Sequence, residues 1–385
     1  MKQFFQIFLL LLKNAFARIT GTPLRLHLPV KKHEKTQAQT LPSRYRLTEN
    51  AVFTNDGTDR HAEILLTGDL LCQRKQQNAC RKADGDFDFT AMFAPIGTLF
   101  GAADLAVGNL ETVCDPDLAY MHESIIADGL PFLNAPPQFL TALKQAGFDA
   151  VCSANNHNCD GGLQGLQSTL KELQNAELPV TGIFANGNTK RYLLFDVNGI
   201  RVALLAYATF YNLKSAAVAD KDMLNLYSEA KAKKDIENAK KDGAQFVITY
   251  IHWGTEYTHK VSRKQKQIAK ELACAGSHFI AGSHSHVLQP FAYVNGVPCL
   301  YSFGNFISSQ SGDGTRETVI LQLQVKDENG TAILTHLRAI PCKTQVSENE
   351  SAFCVTPIDP KTDRDLFDRI KNVLGEKIEL QRLQQ

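Results

Sequence analysis

Side chains that can bind a metal ion or transfer a proton follow five hydrophobic, strand-like runs of the sequence. In chain order they are Asp69, Asn109, Glu111, Asn155, Asn156, His157, His252, His284 and His286. Open α/β sheets gather their functional residues beyond the carboxyl ends of their strands. His284 and His286 stand two positions apart, which in an extended chain turns both imidazoles to one face. We therefore expect one pocket that collects these groups.

The donor atoms of this set predict the kind of metal. Carboxylate, amide oxygen and imidazole form a mixed oxygen and nitrogen set that suits Mn²⁺, Fe²⁺ or Zn²⁺, whereas Ca²⁺ and Mg²⁺ prefer oxygen. Three histidines and two carboxylates are more ligands than one tetrahedral site takes. The pattern therefore favours two divalent ions that share a carboxylate.

Each residue also has an ordinary structural interpretation when it is taken singly. Asp69 could be a turn residue, and Asn155 and Asn156 could simply form a turn. His252, next to Trp253, could be a packed core histidine. Only the combination of several ligand types at successive strand ends favours the metal site.

The elements that would position these residues alternate along the chain. Strand-like runs lie at 63–67, 103–107, 149–153, 245–251 and 278–281. Among the helical patterns the clearest is 263–275, with Ser262 as its cap and Gly276 as its stop, and a last helix is predicted at 363–383. Asn-Gly pairs that begin at 198, 295 and 329 predict hairpins. Helices that alternate with strands, together with hairpins, predict an α/β fold of mixed sheets covered by helices.

Composition argues against some classes of partner and of covalent structure. The chain has 385 residues, with 41 Lys and Arg against 40 Asp and Glu, and its net charge of +1 gives no reason to expect nucleic acid as a partner. Nine cysteines cannot all pair, and several lie in apolar runs, so reduced, buried thiols are expected. Free thiols favour a membrane-associated or cytoplasmic protein, although export or anchoring stays open.

The hydrophobic pattern divides the chain into four segments. Residues 1–22 contain an apolar run that is too short to span a bilayer as a standard helix. Three interpretations of this segment stay open: it is a signal or anchor, it is an interfacial helix, or it is neither. Residues 23–46 are polar and basic and are predicted to be a linker. Residues 47–310 are predicted to form the main domain, and residues 311–385 a β-hairpin and a helix that pack on it.

Six short motifs occur in the order typical of one protein family. They are LTGD at 66–69, GNLET at 108–112, ANNH at 154–157, HWGTEY at 252–257, GSHSHVLQP at 282–290 and YSFGNF at 301–306. With these motifs, the segment from about 61 to 307 resembles the CapA-type poly-gamma-glutamate capsule biosynthesis proteins. That family belongs to the calcineurin-like metallophosphoesterase superfamily. The resemblance therefore implies a four-layer sandwich in which two mixed β-sheets are flanked by helices.

The resemblance also implies roles for the site residues. The implied metal ligands are Asp69, Glu111, Asn156, His252, His284 and His286. Glu111 takes the bridging position among them, and His157 is the implied catalytic histidine. Contacts with the substrate or with a ligand are expected of Asn109, Asn155, Glu256 and Asn305.

Two departures from the superfamily pattern bear on the metal content. The D-x-H of the first motif reads Asp69-Leu70-Leu71, so one of the two ions lacks its usual histidine and is expected to bind weakly. His122, between the second and third motifs, is a candidate for that place. The G-H-H-P-H of the CapA group reads Gly-Ser-His-Ser-His at 282–286, which keeps both presumed ligands.

The expected activity is hydrolysis of a phosphoester. Two divalent ions can activate water and hold the oxygens of a phosphoryl group, and His157 would act on the transition state or the leaving oxygen. Two alternatives stay open. The same site could cleave or transfer a gamma-glutamyl amide, or the domain could bind the polymer without catalysis, as an accessory subunit of a polyglutamate synthase or export complex. The expected partners are a phosphoester or an anionic polymer, and a membrane synthase.

Overall fold

The structure is a computed structural model that describes residues 43–118, 120, 126–127, 130–187, 189–212 and 221–381. These residues belong to one unit, Gln39–Gln385. The apolar segment 1–22, residues 23–42 of the predicted linker and His122 lie outside the described residues. No described helix is long and apolar enough to cross a membrane.

The described residues form nineteen β-strands, several of them only two residues long. In chain order they are β1 (Arg46–Leu47), β2 (Phe53–Thr54), β3 (His61–Leu70), β4 (Leu105–Leu110), β5 (Ile126–Ala127), β6 (Leu130–Pro131), β7 (Ala150–Cys152), β8 (Val180–Thr181), β9 (Leu193–Val197), β10 (Ile200–Ala208), β11 (Phe246–His252), β12 (Phe279–Ser283), β13 (Leu288–Val294), β14 (Val297–Phe303), β15 (Asn305–Ile307), β16 (Glu317–Glu328), β17 (Thr331–Val346), β18 (Phe353–Pro357) and β19 (Glu379–Leu380).

Seven α-helices lie between the strands in the described part of the chain. They are α1 (Arg74–Ala79), α2 (Gly97–Ala102), α3 (Pro137–Ala146), α4 (Gly162–Asn175), α5 (Glu229–Lys241), α6 (Arg263–Ala275) and α7 (Arg364–Leu374).

Most of the strands belong to two mixed sheets. The first sheet has eight strands in the order β1-β2-β9-β10-β11-β12-β14-β13, and its central strands β10, β11, β12 and β14 are parallel. The second sheet has nine strands, seven of them in the order β18-β17-β16-β3-β4-β7-β8, with β15 paired to β3 and β19 to β17. Strands β3, β4, β7 and β8 are parallel, whereas β16 is antiparallel to both of its neighbours.

Three hydrophobic cores separate the layers of the molecule. The core between the two sheets includes Ile64, Leu204 and Phe279. A second core packs α2, α3 and α4 against the outer face of the second sheet, and a third packs α5 and α6 against the outer face of the first. Because both faces of each sheet are covered, the central strands are continuously apolar. The predicted fold, a four-layer sandwich of two mixed sheets flanked by helices, is confirmed.

One tyrosine links the two sheets through polar contacts. Tyr250, on β11 of the first sheet, places its hydroxyl 3.3 Å from the Thr67 carbonyl and 3.2 Å from the Val107 carbonyl of the second sheet. All three residues are buried. A buried hydroxyl needs such an acceptor, so this contact favours one relative position of the two sheets. Tyr250 lies two residues before His252, and the contact therefore also positions that histidine.

Local sequence signals predict several elements correctly. At the start of α6, the Ser262 hydroxyl accepts a bond from the Gln265 N–H, and the Gln265 side chain accepts one from the Ser262 N–H. Gly276 ends this helix with φ 103°. The three Asn-Gly pairs turn between antiparallel strands, β9 and β10, β13 and β14, and β16 and β17, and all six residues have positive φ.

The last helix is shorter than the sequence predicts, and that prediction is wrong at its end. The expected helix spans 363–383, but α7 ends at Leu374 because Gly375 leaves the helical conformation with φ 83°. Glu379–Leu380 then joins the second sheet as β19, beside β17. Glycine after a last apolar turn is a common helix stop, and here it overrides the polar pattern that follows.

Arg44 fixes the start of the described chain to the second sheet. Its guanidinium donates to both carboxylate oxygens of Asp149, at 2.9 and 2.6 Å, and to the carbonyls of Phe100, Ala103 and Gly147. Asp149 is 3% exposed. Although Arg44 belongs to the segment that the sequence assigns to a polar linker, this end of the segment is bound to the domain.

Candidate metal centre

The predicted ligands come from the strand ends of both sheets. The second sheet contributes Asp69 near the end of β3, Glu111 directly after β4, and Asn156 after β7. The first sheet contributes His252 as the last residue of β11, and His284 and His286 after β12. All six are buried. Because β3 and β4 run further than the predicted 63–67 and 103–107, Asp69 and Asn109 lie inside strands.

Glu111 occupies the middle of this group. Its side chain is fully buried, and neither carboxylate oxygen has a hydrogen-bond donor among the described residues. Its Oε1 atom lies 3.6 Å from His252 Nε2 and 3.9 Å from His286 Nε2. Burial and the neighbouring charge of Asp69 raise the pKa of Glu111 well above its ordinary value. A buried carboxylate without donors is unfavourable, so a bound cation fits this position.

Two groups of side chains meet at Glu111. In one, Glu111, His252 and His284 bring ligand atoms within 4.8 Å of one another, and in the other Asp69, Glu111 and His286 do the same. One ion with ligand distances of ~2.0–2.3 Å can span such a separation. The described residues therefore offer two candidate positions that share the Glu111 carboxylate, and binding of two ions stays a prediction.

Hydrogen bonds set the orientation of the imidazoles. The Asn305 side chain donates to the Thr315 carbonyl at 3.1 Å, which turns its oxygen towards His286 Nδ1 at 2.9 Å. Because an amide oxygen only accepts, His286 Nδ1 donates, and Nε2 is left free to bind a metal. His252 Nδ1 lies 2.9 Å from the Ser283 hydroxyl, and its Nε2 faces Asn156 Oδ1 at 2.7 Å.

Burial keeps the His252 and His284 imidazoles neutral. It lowers the pKa of His252 well below the ordinary value and that of His284 to about 3, with smaller contributions from neighbouring histidines. His284 Nδ1 is buried and has no hydrogen-bond partner among the described residues. Metal ligation requires the unprotonated ring, so these histidines are already in the ligating form.

The loop that carries His284 and His286 is strained. Both residues have left-handed backbone conformations, with φ 94° and 57°, which residues other than glycine rarely adopt. The two imidazoles do lie close together, as expected. The reason given for this, that His284 and His286 alternate along an extended strand, is wrong. The two rings meet because the chain turns at each histidine, with centroids 6.1 Å apart.

His157 forms a buried pair with Asp160. Its Nδ1 atom lies 2.7 Å from Asp160 Oδ2, which also accepts the Leu133 N–H at 2.7 Å. His157 belongs to neither ligand group, which fits its expected separation from the metal ligands. Asp160 was not among the predicted site residues, although its position three residues after His157 could have indicated a partner for the imidazole. Burial raises the pKa of the nearby Cys159 thiol to about 12, which argues against a nucleophilic role for it.

The other residues expected at the site have different surroundings. Asn109 donates to Asp69 Oδ1 at 2.8 Å and so orients that carboxylate. Asn155 donates to the Leu110 carbonyl at 2.7 Å and accepts the His157 N–H at 3.2 Å, so it orients the loop that carries His157. Glu256 Oε1 lies 3.9 Å from His286 Nε2, and its side chain is 40% exposed.

Three further contacts were not predicted from the sequence. Asn212 accepts from the Asn156 amide at 3.0 Å and thereby directs the Asn156 oxygen towards His252. Phe210 is 37% exposed with its ring edge-on to His284, and Tyr257 is 58% exposed with its ring 5.7 Å from His286. Aromatic residues usually indicate core, and an asparagine in a loop usually indicates a turn, so the sequence carried no specific signal for them.

Comparison with known sequences identifies related proteins. The family described as bacterial capsule synthesis protein PGA_cap matches residues 63–310. The capsule biosynthesis protein CapA of Bacillus anthracis is 31% identical over 280 residues, which cover 70% of this chain and 65% of that protein. The PGA biosynthesis protein CapA of Bacillus subtilis strain 168 is 30% identical over 277 residues, which cover 69% of this chain and 68% of that protein.

Solved structures show a more distant likeness. The calcineurin-like phosphoesterase YfkN from Bacillus subtilis has a TM-score of 0.44 at 15% identity and covers 80% of this chain and 97% of its own. The segment matched by the family contains both ligand groups, His157 and Asp160. From the extent of that match and the identity to the Bacillus proteins, we conclude that the chain belongs to the bacterial capsule synthesis protein family.

Proposed function

We propose that this chain is a metal-dependent hydrolase and that its substrate is a phosphoester. The observation that supports this most directly is the buried, unpartnered carboxylate of Glu111, shared by two ligand groups. The donor atoms suit Mn²⁺, Fe²⁺ or Zn²⁺. One ion would be held by Asp69, Glu111 and His286, and the other by Glu111, His252, His284 and Asn156.

The protein groups around these positions have separate tasks in the proposed reaction. Two divalent ions, when bound, supply positive charge for phosphoryl oxygens and make water more acidic. His157 donates Nδ1–H to Asp160 in the orientation seen here, which leaves Nε2 as the atom that exchanges a proton with the leaving oxygen. Asp160 holds the ring in this orientation through its contact with Nδ1.

A second function is favoured by what the relatives are called. They include proteins of PGA biosynthesis and a probable polyglutamine synthesis accessory protein of Mycobacterium tuberculosis, 25% identical over 295 residues. The alternative proposal is that the domain handles an anionic glutamate polymer beside a membrane synthase. It would do so either by cleaving or transferring gamma-glutamyl amides or by binding the polymer without catalysis. Leu71 stands where the superfamily has a metal-binding histidine, which agrees with a weakened metal site. It therefore favours binding of the polymer without catalysis.

Paired variants test the proposed roles. Purified protein would be assayed with Mn²⁺, Fe²⁺ or Zn²⁺ against phosphoesters and gamma-glutamyl amides, with metal content measured in parallel. We expect His157→Ala to keep its metal and to lose ~10²–10⁴-fold in kcat, because it removes only a proton-transfer group. His284→Ala should lose metal and activity together. The exposed His336 provides the matched control, and His336→Ala should behave as wild type.

The substrate screen decides between the proposals. Turnover of phosphoesters supports the first one, and turnover of gamma-glutamyl amides alone supports the amide form of the alternative. If the metal-loaded protein hydrolyses neither class yet binds polyglutamate, the catalytic proposal fails, and the domain is a polymer-binding accessory.

A further inference from the structure

The two ligand groups are unequal in what the protein provides. Glu111 is common to both, so the group with Asp69 and His286 has only two side chains of its own. The other group has His252 and His284, with the Asn156 oxygen 2.7 Å from His252. The Asp69 side of the centre therefore has one candidate ligand fewer than the other side.

Glu256 lies where that ligand would be needed. His286 donates its Nδ1–H to Asn305, so its free atom is Nε2. That atom is 3.9 Å from Glu111 Oε1 and also 3.9 Å from Glu256 Oε1. The free nitrogen of His286 is thus equally distant from two carboxylates, and the Glu256 carboxylate has no assigned task.

The backbone holds Glu256 at this place. After β11 ends at His252, the chain turns at Gly254 and Tyr257, with φ 92° and 58°. The Tyr257 N–H donates to the Ser285 carbonyl at 2.8 Å, which binds this turn to the loop of His284 and His286. A left-handed tyrosine is unfavourable, and such strain concentrates at functional positions.

We propose that Glu256 is a carboxylate ligand of the ion bound by Asp69, Glu111 and His286. The inference rests on the proposed two-metal function. The Glu256 side chain makes no hydrogen bond to the described residues and is 40% exposed, so it can turn towards an ion without breaking a contact. Three carboxylates also bring the charge of the centre closer to that of two divalent ions, as burial of charge requires.

This assignment makes the centre chemically asymmetric. The ion beside Asp69 would have three carboxylates and one imidazole, whereas the other would have two imidazoles, an amide oxygen and the shared carboxylate. Oxygen-rich sets suit Mn²⁺, and imidazole-rich sets suit Zn²⁺. The two positions are therefore expected to differ in metal preference.

Manganese titration of the full chain, stripped of metal, tests the assignment. Bound Mn²⁺ would be counted by equilibrium dialysis, and electron paramagnetic resonance would separate single ions from magnetically coupled pairs. We expect wild type to bind two ions and to show the coupled signal. Glu256→Gln should bind the first ion normally and the second at least ~10-fold more weakly. Glu256→Lys, which places a positive charge there, should weaken the second ion further.

The matched control and the contrary outcomes are distinct. Glu328→Gln alters a carboxylate of similar exposure at the far end of β16 and should titrate as wild type. If both Glu256 variants bind two ions as tightly as wild type, Glu256 is not a ligand, while the two-metal proposal stands. If the wild type itself binds fewer than two ions, both proposals fall. Unchanged melting of the variants in chelator would show that they are folded.

Discussion

At the scale of single residues, the same burial acts in opposite directions on acids and bases. It raises the pKa of Glu111, which therefore favours the protonated form in the absence of a cation, and it lowers the pKa of His252 and His284, which stay neutral. A divalent ion would compensate the carboxylate charge, and the free imidazole nitrogens could coordinate it. The site is therefore better matched to a metal ion than to protons.

Asp160 provides a prediction at this scale. In Asp160→Asn, the side-chain amide can present N–H to His157 Nδ1, which favours the wrong tautomer for proton exchange at Nε2. We expect kcat to fall by ~10²–10⁴-fold while metal content stays at the wild-type level. The measurement is steady-state kinetics with metal present, with the metal content of the same samples determined in parallel.

The exposed Asp117 provides a control for Asp160 in the same region of the chain. Asp117→Asn should leave both kcat and metal content unchanged. Wild-type kcat in Asp160→Asn would show that the contact between His157 and Asp160 has no part in the reaction.

Residue types limit what can be read from the sequence at this scale. Histidine and carboxylate ligands can be predicted from the sequence, because few other roles place them after successive apolar strands. The roles of Asn212 and Ser283 cannot be predicted in this way. Asparagine and serine are common in any loop, and their role depends on which imidazole ring they face. The left-handed turns at His284 and His286 were equally unreadable, since nothing in the sequence distinguishes them from an extended chain.

At the scale of elements, strand ends decide where chemistry occurs. The sequence predicts most of the strands and helices from apolar runs, caps and Asn-Gly turns. It does not show that β3, β4 and β7 belong to one sheet and β11 and β12 to the other. Strand pairing depends on contacts between distant residues, as in β3 with β16, and a local pattern does not specify them. Gly375, which ends α7 early, could have been recognised as a helix stop. The helix was nevertheless predicted to continue because of the long polar pattern that follows this glycine.

Arg44 carries the prediction at this scale. Arg44→Met removes the guanidinium that pairs with the buried Asp149 carboxylate and binds three backbone carbonyls. A buried charge left without its partner is strongly unfavourable, so we expect the free energy of unfolding to fall by about 3 kcal/mol. Urea denaturation in the presence of chelator, followed by circular dichroism, measures this change.

Arg46 is the matched control for Arg44. It pairs with Asp56 at 2.6 Å, but both side chains are mostly exposed, at 63% and 59%. Exposed ion pairs contribute little, so Arg46→Met should denature with the wild type. Equal stability of Arg44→Met and Arg46→Met would mean that the Arg44 contacts do not hold the start of the domain.

At the scale of the whole molecule, the four layers could be anticipated in outline. Alternating strands and helices predict mixed sheets with helices on their outer faces, and the motifs imply how the two sheets pack. The cross-sheet contacts of Tyr250 with Thr67 and Val107 could not be foreseen, because a tyrosine inside an apolar strand gives no indication of the acceptors it will meet.

Metal binding should stabilise the molecule as a whole. An ion present at about 100 times its Kd adds ~2.7 kcal/mol to the folded state. For a chain of this size we expect Tm to rise by roughly 5 °C after metal is added to chelated protein. Fluorescence of Trp253, the single tryptophan, follows the transition because this residue is buried beside His252.

The variant His284→Ala tests whether this gain arises at the proposed centre. Its rise in Tm on metal addition should be clearly smaller than that of wild type, because one of the two proposed positions has lost a ligand. A rise as large as that of wild type would place the stabilising ion elsewhere.

The origin of the ligands in both sheets has a mechanical consequence. The His284 N–H donates to the Asp69 carboxylate at 3.3 Å, although the two residues are 215 positions apart in the chain. An ion held by Asp69 near the end of β3 and by His286 after β12 would join the two sheets reversibly and would close a loop of similar length in the folded chain. All nine cysteines lie in the described part of the chain and are free there, so sulfur supplies no such tie. The concentration of metal would then determine how strongly the two sheets are held together.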